Sequence, residues 1–204
     1  PAPLAGTSLA LGTVALSHWG IQQTTKLSLT LVAFEVAVVV ALSLTILFRG
    51  GDSGLSPTPF SPSAPGATWS GIFLAMVFTV MSFVGFENTA VLGEESRDPK
   101  RVIPRATLAG IVVLGAYYIL TSYAEVVGFG AGHMDQTGKY DIPFDGLAQR
   151  YWSHGASYLV GFAAVTALFA GVIASHNATT RVLYSMGRTG ALPRALGRAH
   201  RVHG

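Results

Sequence analysis

A carboxylate and an amide follow a glycine inside one apolar stretch of the chain, and these residues are the best suited to chemistry. The run reads SFVGFEN over residues 82–88. Glycine weakens a helix, and a broken helix in a membrane needs a cavity, a ligand or other protein to satisfy its freed N–H and C=O groups. Such breaks are typical binding sites of secondary transporters. The run therefore predicts a small-molecule site at a helix break near Gly85; the alternative is that Glu87 only hydrogen-bonds backbone at a helix end.

Acidic residues inside apolar stretches form a second group of candidates. Glu35 lies within the stretch 27–48, and Glu87 lies near the middle of the stretch 69–92. A carboxylate that is charged and unpaired inside a membrane is costly, so each is a functional candidate by default. We predict that Glu35 and Glu87 carry protons. Glu125, near the end of another apolar stretch, is instead expected to reach the membrane interface.

Charges are dense between residues 93 and 105, which read GEESRDPKRVIPR. The pattern predicts a helix stop at Gly93, a turn at Asp98-Pro99 and a new helix with Pro104 in its first turn. The segment is interpreted either as a solvated loop or as a cytoplasmic gate that pairs with arginines further along the chain. The gate candidates are Glu94, Glu95, Arg181 and Arg188.

The composition indicates a membrane protein. Of 204 residues, 50% are hydrophobic and 11% are charged, whereas a soluble domain carries about 25% charged residues; the mean hydropathy is +0.47. These values exclude a disordered chain, a nucleic-acid-binding domain and an ordinary cytosolic enzyme. Because cysteine is absent and neither a Ser-His-Asp arrangement nor a metal-ligand spacing occurs, we expect no catalytic residues, no metal site and no cofactor.

Five apolar stretches are the elements that must position these residues. They predict one transmembrane region over residues 1–204, all-α and polytopic. The expected spans are residues 4–18, 27–48, 69–92, 104–130 and 155–187. The first is too short to cross a hydrocarbon core about 30 Å thick. Residues 49–68 and 130–154 are expected to be loops, and the glycine-rich run 128–132 is expected to mark a helix end.

Lys and Arg residues alternate between the connections in the way that orients membrane proteins. Nine of them lie before residue 27, between residues 93 and 105, or after residue 187. Three lie in the loops 49–68 and 130–154, and Arg181 is not counted in either group. The first group is therefore predicted to be cytoplasmic. The second group is predicted to be extracellular or periplasmic.

Two long motifs resemble one transporter family. SFVGFEN followed by GEESRDPKRVIPRA resembles the sixth helix and following loop of the amino acid–polyamine–organocation superfamily, and residues 177–193 resemble its eighth helix and cytoplasmic exit. The resemblance covers most of the chain. It implies the end of helix four through helix eight of a leucine-transporter-like fold, which has two inverted five-helix repeats. The chain is therefore expected to be about half of a transporter, without helices one to three, nine and ten.

The same resemblance implies roles for the residues of the helix break. The substrate-binding residues that it implies are Ser82, Phe83, Val84, Gly85, Phe86 and Ser175. Backbone groups of residues 84–86 would contact the substrate, and the positive end of a half-helix there would favour a carboxylate group. Ser175 falls where the eighth helix faces the substrate.

The resemblance also bears on coupling. Glu87 matches a glutamate that is proton-linked in arginine–agmatine-type exchangers. The lysine that several proton-coupled members carry in helix five is missing, and Glu35 is the nearest candidate. Ile173-Ala174 stand where sodium-coupled members carry hydroxyl groups. Sodium coupling at that site is therefore disfavoured, and protons or exchange against another solute remain.

We expect secondary transport of an amino acid or related amine across the cytoplasmic (plasma) membrane by alternating access, and no enzymatic activity. The expected partners are that substrate, protons and the lipid bilayer, with no nucleic acid. Two alternatives stay open: a channel or non-transporting membrane scaffold, and a truncated product that is inactive without the missing helices. The residues leave the identity of the substrate and the oligomeric state open.

Overall fold

The described part of the chain is helical. A computed structural model describes residues 21–52, 54–62, 64, 67–85 and 98–197. Within these ranges it contains no strand and five α-helices: α1 (Ile21–Phe48), α2 (Trp69–Ser82), α3 (Pro99–Phe129), α4 (Pro143–Tyr151) and α5 (His154–Thr189). Three 3₁₀ segments accompany them, at Thr58–Phe60, Ala131–Lys139 and Arg194–Gly197. The predicted span 4–18 lies outside the described residues.

Three of these helices are long and apolar enough to cross a membrane. The qualifying stretches are Gln23–Phe48, Pro99–Phe129 and His154–Thr189. Because no water satisfies backbone N–H and C=O groups inside a bilayer, such apolar runs form uninterrupted helices that bond internally. This confirms the prediction of an all-α, multi-pass membrane protein. α2 has only 14 residues, so it is about 21 Å long and shorter than the hydrocarbon core.

Two helices begin earlier than the predicted spans. α1 begins at Ile21 rather than at residue 27, and α3 begins at Pro99 rather than at residue 104. Pro104 therefore lies inside α3, and the prediction that it would occupy the first turn is wrong. Pro99 already occupies the first helical position, where a missing N–H costs nothing. The helix starts there and gives up one internal bond at Pro104.

The segment 130–154, predicted as a loop, contains ordered structure. Gly130 ends α3 with φ +88, and its N–H bonds to Val126 O, which confirms the predicted helix end. The chain then continues through 3₁₀ turns into α4, where Leu147 and Ala148 are fully buried. The sequence did not predict α4, because a helix of nine residues is shorter than the window of about 11–18 residues in which helical periodicity is recognised.

The chain forms two compact units, Pro1–Val36 with Phe162–Gly204, and Ala37–Gly161. In the first unit the start of α1 packs antiparallel against α5. Ser28 Oγ donates to Ala170 O at 3.2 Å, and the rings of Phe34 and Phe162 meet edge to face with 5.9 Å between centroids. Hydroxyl groups and small residues are typical of helix contacts in membranes, because apolar side chains gain little by leaving lipid.

The core of the second unit lies where the ends of α1 and α3 meet α4. Ile46 and Leu147 are fully buried and lie against Gly128 of α3. A Cβ at Gly128 would lie 2.6 Å from Leu147 Cδ2 and 3.3 Å from Ile46 Cγ2. Glycine therefore permits an approach that any larger residue would prevent without a shift of its neighbours.

The carbonyl end of α3 is held by groups from outside the helix. Asp52 N–H donates to Val127 O at 3.1 Å, and Gly128 O accepts from Arg150 Nη1 at 3.3 Å and from the Tyr151 hydroxyl at 3.0 Å. The last carbonyls of a helix have no partner inside it, and their partial negative charge favours a cation. Arg150 also pairs with the Asp52 carboxylate at 2.6 Å, so one side chain ties the loop after α1 to α3 and α4.

Burial raises the pKa of the Tyr151 phenol, which is already protonated at neutral pH. The neighbouring Arg150 lowers that pKa, Asp52 raises it, and the net direction is upward. At neutral pH the hydroxyl therefore retains the hydrogen that it donates to Gly128 O.

Gly128→Ala is expected to destabilise the protein, since the added methyl group must displace Leu147 or Ile46. Overpacking of this kind costs about 1–3 kcal/mol, so the thermal unfolding midpoint, measured by circular dichroism in detergent micelles, should fall. Gly161→Ala is the matched control, because nothing lies within 4 Å of the Cβ that it would gain. Equal midpoints for Gly128→Ala and the parent protein would contradict this account of the core.

Candidate functional site

α2 ends inside its apolar stretch. Phe83 N–H bonds to Val80 O at 3.1 Å and Val84 N–H bonds to Met81 O at 3.2 Å, which tightens the last turn. Gly85 then takes φ +117, a backbone conformation that glycine adopts far more readily than other residues. The predicted interruption near Gly85 is therefore confirmed as the end of α2.

Tyr118 of α3 reaches the end of α2. Its hydroxyl donates to Ser82 O at 2.8 Å, and its ring meets Phe83 edge to face, with 5.4 Å between centroids and 84° between planes. Tyr118 lies eleven residues before Phe129, hence about 16 Å from the end of α3.

The structure brings part of the predicted substrate site together around Tyr118. Ser82 and Phe83 contact it directly, and Val84, which is 66% exposed, follows at the helix end. The Ser82 hydroxyl donates to Phe78 O of its own helix at 2.9 Å. The sequence did not single out Tyr118, because residue type alone does not distinguish a tyrosine that packs in a core from one that contacts a functional site.

The half-helix before the break presents its carbonyl end to the break. The carboxyl end of a helix carries a partial negative charge equivalent to about half an elementary charge. α2 therefore suits an ammonium group at Ser82–Gly85. The positive helix end that we expect to favour a carboxylate would belong to residues after Gly85. Phe86, Glu87, Glu94 and Glu95 lie outside the described residues, and their roles stay predictions.

A cavity of about 290 Å³, which we call the Tyr118–Tyr123 cavity, adjoins the break in the same unit. It is lined by Pro59, Phe60, Thr79, Tyr118, Ile119, Ser122, Tyr123 and Val126. The turn Thr58–Phe60 forms one wall, because Tyr123 Oη donates to Ser56 O at 3.0 Å and the Phe60 and Tyr123 rings lie 5.0 Å apart. The segment 49–68, predicted only as a loop, therefore contributes to this cavity.

Glu35 lies on α1, in the other unit. It is half-buried and shares a helix face with Ser28, which bonds to α5, and with Val38 and Leu42, which are buried. Residues three, four or seven apart lie on one face of a helix. Glu35 therefore lies on the packed face of α1, and its role as a proton carrier stays a prediction.

Ser175, Arg181 and Arg188 lie on α5. Ser175 is exposed, and its carbonyl accepts from Thr179 Oγ1 at 2.9 Å. Arg181 is half-buried. The Arg188 guanidinium lies 5.9 Å from the centroid of the Tyr184 ring, within the range of a cation–π interaction. The predicted roles of these α5 residues in binding and gating stay predictions.

Comparison with known proteins finds relatives over nearly the whole chain. The family model described as amino acid permease matches residues 4–204. An uncharacterized transporter of Rhizobium meliloti (strain 1021) is 28% identical over 188 residues, which cover 92% of this chain and 40% of the relative. The branched-chain amino acid permease BcaP of Lactococcus lactis subsp. cremoris (strain MG1363) is 23% identical over 182 residues, which cover 88% of this chain and 38% of BcaP.

A third relative is named for an amine. The low-affinity putrescine importer PlaP of Escherichia coli (strain K12) is 27% identical over 172 residues, which cover 78% of this chain and 35% of PlaP. The chain therefore spans about two fifths of the length of the curated relatives that it matches. No solved structure matches it.

Tyr118→Phe is expected to loosen the end of α2, because it removes the hydroxyl that binds Ser82 O and keeps the ring against Phe83. A hydrogen bond contributes about 0.5–1.5 kcal/mol, so amide exchange at residues 83–85 should become about two- to tenfold faster, as measured by mass spectrometry. Tyr158→Phe is the control, since Tyr158 is 74% exposed. Unchanged exchange in Tyr118→Phe would show that this bond does not hold the helix end.

Proposed function

Because the chain belongs to the amino acid permease family, we propose that it forms part of a secondary transporter. The transporter moves an amino acid or related amine across the cytoplasmic membrane by alternating access. The end of α2 inside its apolar stretch, where Tyr118 of α3 binds Ser82 O, is the observation that carries this proposal. Relatives named as a branched-chain amino acid permease and as a putrescine importer support a substrate with an ammonium group.

Substrate binding in this proposal uses backbone of the helix break. The negative end of α2 at Ser82–Gly85 holds the ammonium group, and Phe83 packs against the apolar part of the substrate. Residues after Gly85, among them Phe86, provide further backbone groups. The helix break leaves backbone N–H and C=O groups without partners inside the helix, and lipid supplies none. Polar groups of the substrate take the place of those partners.

Coupling in this proposal uses protons or exchange against a second solute. Glu87 is the second residue after Gly85 in the sequence, and Glu35 lies on the packed face of α1. An unpaired carboxylate charge inside a membrane is costly, so these two residues are the candidate proton carriers. Loading and release of a proton at either residue would change the charge of the site between its two access states.

The cytoplasmic gate in this proposal is formed by charge pairs. Glu94 and Glu95 pair with Arg181 and Arg188 when the inner side is closed. The packing of the Arg188 guanidinium beside the Tyr184 ring supports this role, because it limits the positions that the cation can occupy.

Proteoliposomes that contain the complete protein test the proposal. Saturable, concentrative uptake of radiolabelled leucine or putrescine is expected, and Glu87→Gln should abolish uptake or its dependence on a pH gradient. Glu125→Gln, the same change at a residue near the carboxyl end of α3, is the matched control and should retain both. If Glu87→Gln leaves the pH dependence of uptake unchanged, Glu87 does not carry the proton. Conductance without saturable uptake would favour a channel.

Charge reversal tests the gate. Glu95→Arg should reduce the initial rate of uptake several-fold, because it places two cations where an ion pair closes the gate. Adding Arg188→Glu to the same protein should restore part of the rate. Equal rates in the single and double variants would exclude this pair as the gate.

A further inference from the structure

We propose that the Tyr118–Tyr123 cavity is a second ligand site, which takes a primary ammonium group on a short apolar chain. This site is separate from the backbone site proposed at residues 84–86. Its lining residues come from the connection after α1, from α2 and from α3, all within one compact unit.

The hydroxyl groups of the cavity offer acceptors. Tyr118 Oη donates to Ser82 O at 2.8 Å, Tyr123 Oη donates to Ser56 O at 3.0 Å, and Thr79 Oγ1 donates to Ala75 O at 2.8 Å. Each hydroxyl has one hydrogen, so in all three groups that hydrogen is used and only lone pairs remain for a ligand. An ammonium group has three donors and no acceptor. These three groups therefore favour an ammonium over a carboxylate.

The aromatic rings favour the same charge. Phe60 and Tyr123 lie 5.0 Å apart, and Tyr118 lies on the same side of α3 as part of the lining. The face of an aromatic ring attracts a cation within about 6 Å of its centroid. Phe60 and Ile119 are 63% and 62% exposed, so the cavity is open at one side.

The size and the apolar wall limit the rest of the ligand. The cavity has a volume of about 290 Å³, at the lower end of the range of about 300–1,000 Å³ for small-molecule pockets. Pro59, Ile119 and Val126 line it with aliphatic groups. The site therefore suits an ammonium with a chain of a few carbon atoms.

Occupancy of this cavity would act on the helix break through Tyr118. Tyr118 lines the cavity, and its hydroxyl carries the hydrogen that binds Ser82 O. An ammonium that donates to Tyr118 Oη would polarise the O–H group and strengthen its bond to Ser82. The ligand should therefore slow amide exchange at residues 83–85, and Tyr118→Phe should remove this effect.

Binding of n-butylammonium tests the site. Saturation-transfer NMR titration of the complete protein in lipid nanodiscs, with empty nanodiscs subtracted, should show saturable binding about tenfold tighter than that of 1-butanol or butanoate. Tyr123→Leu and Thr79→Val should each weaken n-butylammonium binding about three- to tenfold. Ile119→Leu is the matched control from the same lining and should change the affinity by less than about twofold.

Two results would overturn the proposal. Equal affinity for 1-butanol and n-butylammonium would identify the cavity as an apolar groove for lipid chains. Unchanged n-butylammonium binding in both Tyr123→Leu and Thr79→Val would exclude this cavity as the site. Circular dichroism shows whether each variant has folded. If Tyr123→Leu has not folded, Tyr123→Phe, which removes only the hydroxyl, takes its place in the titration. Because binding is measured without transport, these results do not depend on the outcome of the uptake experiments.

Discussion

Every polar backbone group inside the hydrocarbon core needs a partner, and the rest of this structure depends on how that requirement is met. α1, α3 and α5 meet it over long uninterrupted apolar runs. α2 ends after 14 residues, so its last carbonyls need partners from outside the helix. The hydroxyl of Tyr118 supplies one of them at Ser82 O. One aromatic side chain therefore supplies a hydrogen bond that lipid would not offer to a helix end inside an apolar stretch.

The same requirement has a different solution at the end of α3. Its carbonyls accept hydrogen bonds from Asp52, Arg150 and Tyr151. A Cβ at Gly51 would overlap Val127 O, so glycine is needed for the loop to approach this closely. Buried side chains surround this end of the unit, whereas α2 has no buried residue among those described.

Two features around Tyr118 favour an ammonium group as the ligand. The carbonyl end of α2 carries partial negative charge, and the hydroxyl groups of Thr79 and Tyr123 have their hydrogens committed to backbone carbonyls. Both favour a cation that donates hydrogen bonds. A carboxylate would need donors from other residues, and the positive helix end predicted after Gly85 is one such source.

The sequence by itself determined the membrane character, the helix end near Gly85 and the end of α3 at Gly130, because apolar length, charge content and the conformational freedom of glycine are local properties. It misplaced Pro104 and overlooked α4, since two turns of helix show too little periodicity. Only the tertiary structure decided the role of Tyr118. Its bond to Ser82 joins residues 36 positions apart, and a pattern of residue types does not specify which distant side chains meet when helices pack.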